Sequence, residues 1–118
     1  MKTFHPRTHP LTHALALAVL CTLFSLTGHA AEPEIKLVIE NHKFQPETIT
    51  VAANQKIKLV IENRDATPEE FESHSLNREK VIPGKSTLSI YIGPLKPGSY
   101  PFIGEFNQAT AKGVIVAQ

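Results

Sequence analysis

The sequence contains almost none of the sulfur that disulfides and soft metal ions require. Its one cysteine is Cys21 and its one methionine is Met1, and both lie in the first 30 of 118 residues. Beyond residue 30 the chain therefore has no thiol to form a disulfide, act as a nucleophile or bind a metal as thiolate. We expect that part of the chain to depend on a single apolar core for its stability.

The start of the chain predicts export. Lys2 and Arg7 precede an almost uncharged apolar run at 14–26, and a small-x-Ala cleavage signal follows at 28–30. The alternative, a membrane helix, is disfavoured because the run is too short to span a bilayer comfortably. We expect residues 1–30 to be a signal peptide, with cleavage after position 30 or 31.

Cleavage would leave residues 31–118 as one small periplasmic domain with no further membrane insertion. That domain keeps ten basic and eleven acidic residues, so its near-neutral charge predicts no nucleic-acid partner. It keeps two histidines, His42 and His74, and it has no phosphate-binding loop and no metalloprotease-like histidine pair. We therefore expect no catalysis by this domain alone.

Alternating apolar residues predict about seven short strands with turn signals every eight to twelve residues and no helix. This pattern predicts an all-β class, an antiparallel β-sandwich with Greek-key connections. Asn41–Pro46 is predicted as a turn and Asn77–Lys80 as a charged segment outside the strands. Phe44, Tyr100 and Phe102 are predicted core residues, and Asn63 is expected to tie neighbouring loops through backbone hydrogen bonds. The strands are predicted at 35–40, 49–51, 56–62, 71–76, 86–92, 100–102 and 114–116.

Three fragments resemble the strands of cupredoxins and together cover most of residues 31–118. They are Asn41-His42-x-Phe44-x-Pro46-x-x-Ile49-x-Val51, then Lys58-Leu-Val-Ile-Glu-Asn63-Arg-Asp65, and Tyr100-x-Phe102 with Gly113-Val-Ile-Val. The resemblance implies a cupredoxin-like Greek-key sandwich. A narrower resemblance, carried by residues 65–73, 76–80, 93–100 and 104–106, is to the small periplasmic cupredoxin-like component of bacterial ferrous-iron permease systems. It implies a membrane iron-permease component, or another periplasmic protein, as partner.

The departures from that family bear on the metal. Blue-copper centres use a cysteine thiolate, two imidazoles and a weak axial methionine. Aligned on the resemblance, the first histidine position falls near Glu69, the cysteine position at Gly104, the second histidine position near Asn107 and the methionine position near Ala111. A type 1 copper centre is therefore excluded by composition.

An acidic set with two histidines remains as the candidate metal site. In an extended segment Glu70, Glu72 and His74 would point to one side, because alternate residues of a strand share a face. Carboxylates and imidazoles suit iron or Cu(II) better than Cu(I). The candidate ligands for an iron or copper ion are Glu105, Glu72, His74, Glu70, Glu69 and His42.

Three functions stay open from the sequence. The first is an exported accessory protein that binds or handles iron, and less favourably copper, for a membrane iron importer. The second is a metal-free interaction module that uses the acidic patch for docking, and the third is a periplasmic copper-binding protein. Ligand atoms that converge would favour metal, whereas acids paired with Arg64, Arg78 and Lys80 would favour docking or ordinary surface ion pairs.

Overall fold

The computed structural model describes residues 2–3, 28 and 30–118. The predicted signal peptide, residues 1–30, therefore lies almost wholly outside the described residues, and its prediction stays untested. Among the residues that are described, no helix is both long enough and apolar enough to cross a membrane.

The described chain forms nine strands and one single-turn 3₁₀ helix, which we call the 105–107 helix. The strands are β1 (Glu34–Glu40), β2 (Lys43–Gln45), β3 (Thr48–Val51), β4 (Ile57–Asn63), β5 (Glu69–Ser73), β6 (Arg78–Ile82), β7 (Ser86–Ile92), β8 (Gly98–Gly104) and β9 (Lys112–Ala117), and the helix is Glu105–Asn107. The all-β class predicted from the sequence is confirmed.

The strands form two sheets that pack face to face. The four-stranded sheet has the order β2-β1-β4-β7, and the five-stranded sheet has the order β3-β9-β8-β5-β6. The predicted sandwich is confirmed, but its predicted antiparallel pairing was wrong for two pairs, because β1 lies parallel to β4 and β3 lies parallel to β9. Alternation along one strand reports which face is buried and carries no information on the direction of its neighbour.

Two strands, β2 and β6, were missed in the sequence. Strand β2 pairs back on β1 through Asn41 and His42, both with positive φ (53° and 56°), which is the conformation of a tight hairpin turn. Strand β6 is an edge strand whose first four residues are all exposed, so it shows no apolar alternation. Both strands exist because a neighbour pairs with them, and single-strand patterning does not report that.

Apolar side chains from both sheets fill the space between them. Phe44, Phe71 and Phe102 are each almost fully buried and form its centre, with ring centroids 4.9 Å apart for Phe44 and Phe102 and 5.1 Å for Phe71 and Phe102. Burying each of these rings contributes about 1.5–3 kcal/mol. The predicted core positions Phe44 and Phe102 are confirmed, and Tyr100 is partly buried against the core.

Asn63 is the predicted tie between loops. Its amide nitrogen donates to the carbonyl oxygens of Thr67 (2.9 Å) and Ile82 (3.1 Å), and its amide oxygen accepts from the backbone N–H of Asp65 (3.0 Å). These bonds hold the 64–68 loop against the end of β4 and join both to Ile82, the residue of β6 that pairs with Glu69 at the start of β5.

Candidate carboxylate site

Strand β5 divides its side chains between the core and the outer face of the five-stranded sheet. Phe71 and Ser73 are buried, whereas Glu70 and Glu72 lie half-buried on the outside. This two-residue period is the one predicted for Glu70 and Glu72. The next residue in that series, His74, lies just past the strand and is exposed, with Nε2 3.2 Å from Oε1 of Glu72.

The pairing of β5 with β6 adds a carboxylate that was not predicted. Glu79 of β6 lies directly opposite Glu72 in the antiparallel register. The 105–107 helix, which follows β8, brings Glu105 to the same surface, where its carboxyl group interacts with that of Glu72. Glu70, Glu72, Glu79 and Glu105 are called the carboxylate cluster below.

The sequence contained a signal for Glu79 that strand prediction alone did not use. Ser73 pairs with Arg78 across the 74–77 turn, so Glu72 and Glu79 are the next pair outward from that turn. Reading Arg78–Ile82 as the return strand of a hairpin would have placed Glu79 opposite Glu72.

The four acids change one another's protonation. A hydrogen bond with Glu79, together with partial burial and the charges of Glu79, Glu105 and Glu72, raises the pKa of Glu70 to about 7. A hydrogen bond with Glu72, burial and the charges of Glu72 and Glu79 raise the pKa of Glu105, against a smaller lowering by His74. Two carboxyl groups that share one proton explain both shifts. Near pH 7 Glu70 is therefore partly protonated, and a cation that binds there would displace its proton.

No lysine or arginine neutralises the cluster within the described part of the chain. The Lys–Glu and Arg–Glu salt bridges found there involve other glutamates, from positions 32, 34, 40 and 62. Arg64 pairs with Glu62 and Glu40, and Arg78 donates to the backbone oxygens of Tyr91 and Asn77. Among the described residues, none of these acids forms a salt bridge with Arg64, Arg78 or Lys80.

The surface beside the cluster is indented. A polar depression of about 160 Å³ is lined by Glu72, His74, Asn77, Arg78 and Glu79. A mostly apolar one of about 130 Å³ lies on the other side of His74, against Pro101 and Phe102. Glu72 therefore borders both depressions.

His42 lies in a different group. Its Nδ1 is 3.6 Å from Oδ2 of Asp65, and Asp65 accepts the backbone N–H groups of Asn41 and His42. Burial raises the pKa of Asp65, but the two backbone donors outweigh it and lower the pKa below its ordinary value. No hydrogen bond or ion pair among the described residues connects His42 to the carboxylate cluster.

Glu69 faces inward, away from the cluster. Its side chain is almost fully buried, with Oε1 accepting from the backbone N–H of Phe106 (2.9 Å) and Glu70 (3.0 Å), and Oε2 accepting from Nδ2 of Asn107 (2.7 Å). Both oxygens are thus engaged by the protein.

The four positions that the resemblance aligned with blue-copper ligands, Glu69, Gly104, Asn107 and Ala111, lie together. Asn107 donates a hydrogen bond to Glu69. A Cβ placed on Gly104 would stand 2.6 Å from Cβ of Ala111 and 2.7 Å from Cδ of Glu69. A carboxylate and an amide that hydrogen-bond each other, with a glycine and an alanine, supply neither a thiolate nor an imidazole. These residues do not fit a type 1 copper ion.

The cluster offers carboxyl pairs rather than a complete coordination shell. No group of three or more His, Cys, Asp or Glu side chains among the described residues converges on one metal position. The carboxyl group of Glu70 interacts with that of Glu79, and the carboxyl group of Glu105 with that of Glu72. Such pairs suit hard cations that keep several waters, with weak and exchangeable binding.

Comparison with known proteins identifies the family. The profile of the cupredoxin-like domain matches residues 13–117. An uncharacterized protein of Rickettsia prowazekii (strain Madrid E) is 47% identical over 83 residues, which cover 70% of this chain and 66% of that protein. The chain thus spans slightly less than two thirds of that relative.

Solved structures agree on the fold. Auracyanin A, a blue copper protein of Chloroflexus aurantiacus, superposes with a TM-score of 0.64 at 14% identity, over 75% of this chain and 100% of that one. The metal-binding domain of the Cu(I)-exporting P-type ATPase of Streptococcus pneumoniae gives 0.62 at 14% identity, over 72% and 84%. A purple cupredoxin of Nitrosopumilus maritimus gives 0.55 at 12% identity, over 70% and 98%. At these identities the likeness concerns the fold alone.

Proposed function

The chain belongs to the family of cupredoxin-like domains, and from that premise we propose that it is an exported accessory protein for transition-metal uptake. It captures an iron ion, or with lower preference a copper ion, at the carboxylate cluster and passes it to a membrane iron importer. We propose no reaction for the protein alone. Oxidising ferrous iron requires an electron acceptor, and a carboxylate site does not provide one.

The observation that carries this proposal is the set of four glutamates that form no salt bridge with a lysine or arginine among the described residues. Like charges placed opposite each other in a sheet destabilise it, so an uncompensated cluster is a cost to the fold. The cost falls when a proton or a cation binds between the carboxyl groups. The pKa of Glu70, raised to about 7, reflects the same preference: the neighbouring acids favour binding of a proton at Glu70.

The donor atoms support iron over Cu(I). All four cluster side chains offer oxygen, and His74 beside Glu72 offers one imidazole nitrogen. Soft Cu(I) prefers sulfur, whereas iron and Cu(II) accept carboxylate and imidazole ligands. The open geometry supports transfer rather than storage, since water can complete the coordination shell and the ion can leave.

Anaerobic calorimetry of the mature protein tests the proposal, first with Fe(II) and then with Cu(II). We expect stoichiometric Fe(II) binding in the wild type and its loss in Glu72→Gln/Glu105→Gln. The matched control is Glu34→Gln/Glu40→Gln, which removes the same charge from the other sheet and should leave binding intact. Equal loss in both variants, or no binding of either ion by the wild type, would contradict the assignment.

A second candidate, docking of a basic protein segment, is favoured by one further observation. Phe106 lies next to Glu105 with 50% of its surface exposed, so an apolar ring adjoins the acids. Titration with a lysine-rich peptide separates the two functions. Peptide binding that is lost in Phe106→Ser, in a protein that binds neither ion, would favour docking over metal capture.

A further inference from the structure

Glu69 is a buried carboxylate with no cation beside it among the described residues. Only 1% of the residue is exposed, and its compensation consists of three donors, two backbone N–H groups and the amide of Asn107. A buried carboxylate is costly unless it is well hydrogen-bonded, so its partners must be held accurately in place. Two of the three donors belong to the 105–107 helix.

The space for this carboxylate depends on Gly104. A Cβ at position 104 would stand 2.7 Å from Cδ and 2.9 Å from Oε2 of Glu69, which is too close for any side chain. The loop after the helix is closed by its own bonds, with the N–H of Ala111 donating to the oxygen of Asn107 (2.8 Å) and that of Gly104 to the oxygen of Ala111 (2.9 Å). Glu69 therefore joins a closed loop to β5 from the inside.

We infer that Glu69 is a positioning residue, which fixes the 105–107 helix so that Glu105 lies against Glu72. Among the described residues, the backbone N–H of Phe106 and the side-chain amide of Asn107 both bond from the helix to Glu69 of β5, in addition to the contact of Glu105 with Glu72. In a blue-copper domain a metal ion would join these positions, and here a carboxylate–amide pair joins them. The inference rests on the proposed function only where metal binding is concerned.

Glu105 reports the position of the helix without any metal. Its carboxyl pKa is raised first by the hydrogen bond with Glu72. If the helix loses its attachment, that contact is lost and the pKa falls toward its ordinary value. Carboxyl-carbon NMR titration of Glu105 measures this directly.

The test compares two substitutions of Glu69. Glu69→Leu removes every acceptor, so we expect the pKa of Glu105 to fall and Fe(II) binding to weaken by about 10- to 100-fold. Glu69→Gln keeps an acceptor for the N–H of Phe106, and the amide of Asn107 can rotate to accept from the new amide. We therefore expect Glu69→Gln to retain both the raised pKa of Glu105 and the binding.

A stability control is available on the same strand. Ser73 is also buried, and its hydroxyl donates to the oxygen of Pro101 (2.7 Å), away from the helix. Ser73→Ala should lower the melting temperature and leave the titration of Glu105 unchanged. If Glu69→Leu does not fold, Asn107→Ala removes one of the two bonds and should give a smaller fall in the same pKa.

Two results would overturn the inference. An unchanged pKa of Glu105 in Glu69→Leu, or in Asn107→Ala where the former does not fold, would show that Glu69 does not position the helix. Equal loss of Fe(II) binding in Glu69→Gln and Glu69→Leu would make Glu69 a ligand rather than a positioning residue. A wild type that binds no metal would refute the proposed function and leave the NMR test of positioning intact.

Discussion

Both sheets carry glutamates on their outer faces, but the glutamates have different neighbours on the two sheets. On the four-stranded sheet, glutamates alternate with cations, as in the pairs Lys36–Glu62 and Lys58–Glu34. On the five-stranded sheet, the carboxylate cluster has no such cation among the described residues. One face is electrically compensated, and the other carries an excess of negative charge.

The two faces therefore shift glutamate pKa values in opposite directions. Hydrogen bonds from Arg64 and Lys36 lower the pKa of Glu62 to about 2. The hydrogen bond with Glu79 and the neighbouring acids raise the pKa of Glu70 to about 7. Both side chains lie on strands with partial exposure, so the sign of the neighbouring charges decides the difference.

The difference extends to stability. The folded pKa of Glu62 lies below its ordinary 4.5, so its contribution is present above pH 4.5 and is lost as the pH falls toward 2. The folded pKa of Glu70 lies above 4.5, so its contribution is present below pH 4.5 and is lost as the pH rises toward 7. Glu62 on the compensated face therefore makes the fold more stable at neutral pH than at acid pH, whereas Glu70 in the cluster makes it less stable at neutral pH than at acid pH.

The largest expected effect comes from giving the cluster a cation. In Glu79→Lys the partner that raises the pKa of Glu70 becomes one that lowers it, so we expect the pKa to fall from about 7 to below 4.5. Carboxyl-carbon NMR titration measures this change. Glu79→Gln is the matched control and should bring the pKa only toward 4.5. A pKa that stays near 7 in both variants would show that burial, not Glu79, causes the shift.

A smaller effect is expected from removing a cation on the other face. In Arg64→Gln, Glu62 loses its main hydrogen-bond partner but keeps Lys36, so its pKa should rise from about 2 and remain below 4.5. The same titration measures it. Lys56→Gln, which removes a cation paired with Glu32 instead, should leave Glu62 unchanged. An equal rise in both variants would mean that net charge, rather than the contact, sets the pKa.

The smallest expected effect is on the pH dependence of stability. Glu70→Gln removes the group whose folded pKa is raised, so the variant should gain stability relative to the wild type between pH 4.5 and 7 and match it most closely below pH 4.5. Urea unfolding at several pH values measures the difference. A constant difference at all pH values would point to packing rather than to charge.

The sequence was most informative where a side chain's role depends on its own strand. Alternation separated Glu70 and Glu72 from Phe71, and Asn63 was recognised as a tie because a short amide after a strand readily bonds to nearby backbone. It was least informative where the role depends on pairing. Strand β6 shows no alternation, so Glu79 was missed, and the direction of β1 beside β4 was misjudged.

The buried position of Glu69 also depends on contacts that the sequence pattern does not report. The period that turns Glu70 and Glu72 outward also turns Glu69 inward, but an inward carboxylate is improbable unless donors meet it. Those donors lie 37 and 38 residues further along the chain, on Phe106 and Asn107. Only the folded chain brings them together, so Glu69 was grouped with the exposed acids in the sequence.

By itself, the sequence determined the two-sheet fold class, the faces of the strands and the exclusion of a type 1 copper centre, because these follow from residue type and local period. The tertiary structure decided that Glu79 joins the cluster, that no lysine or arginine of the described residues forms a salt bridge with it, and that Glu69 accepts hydrogen bonds from the 105–107 helix. Each of these depends on strand register and long-range contact, since proximity across a sheet is set by pairing and not by distance along the chain.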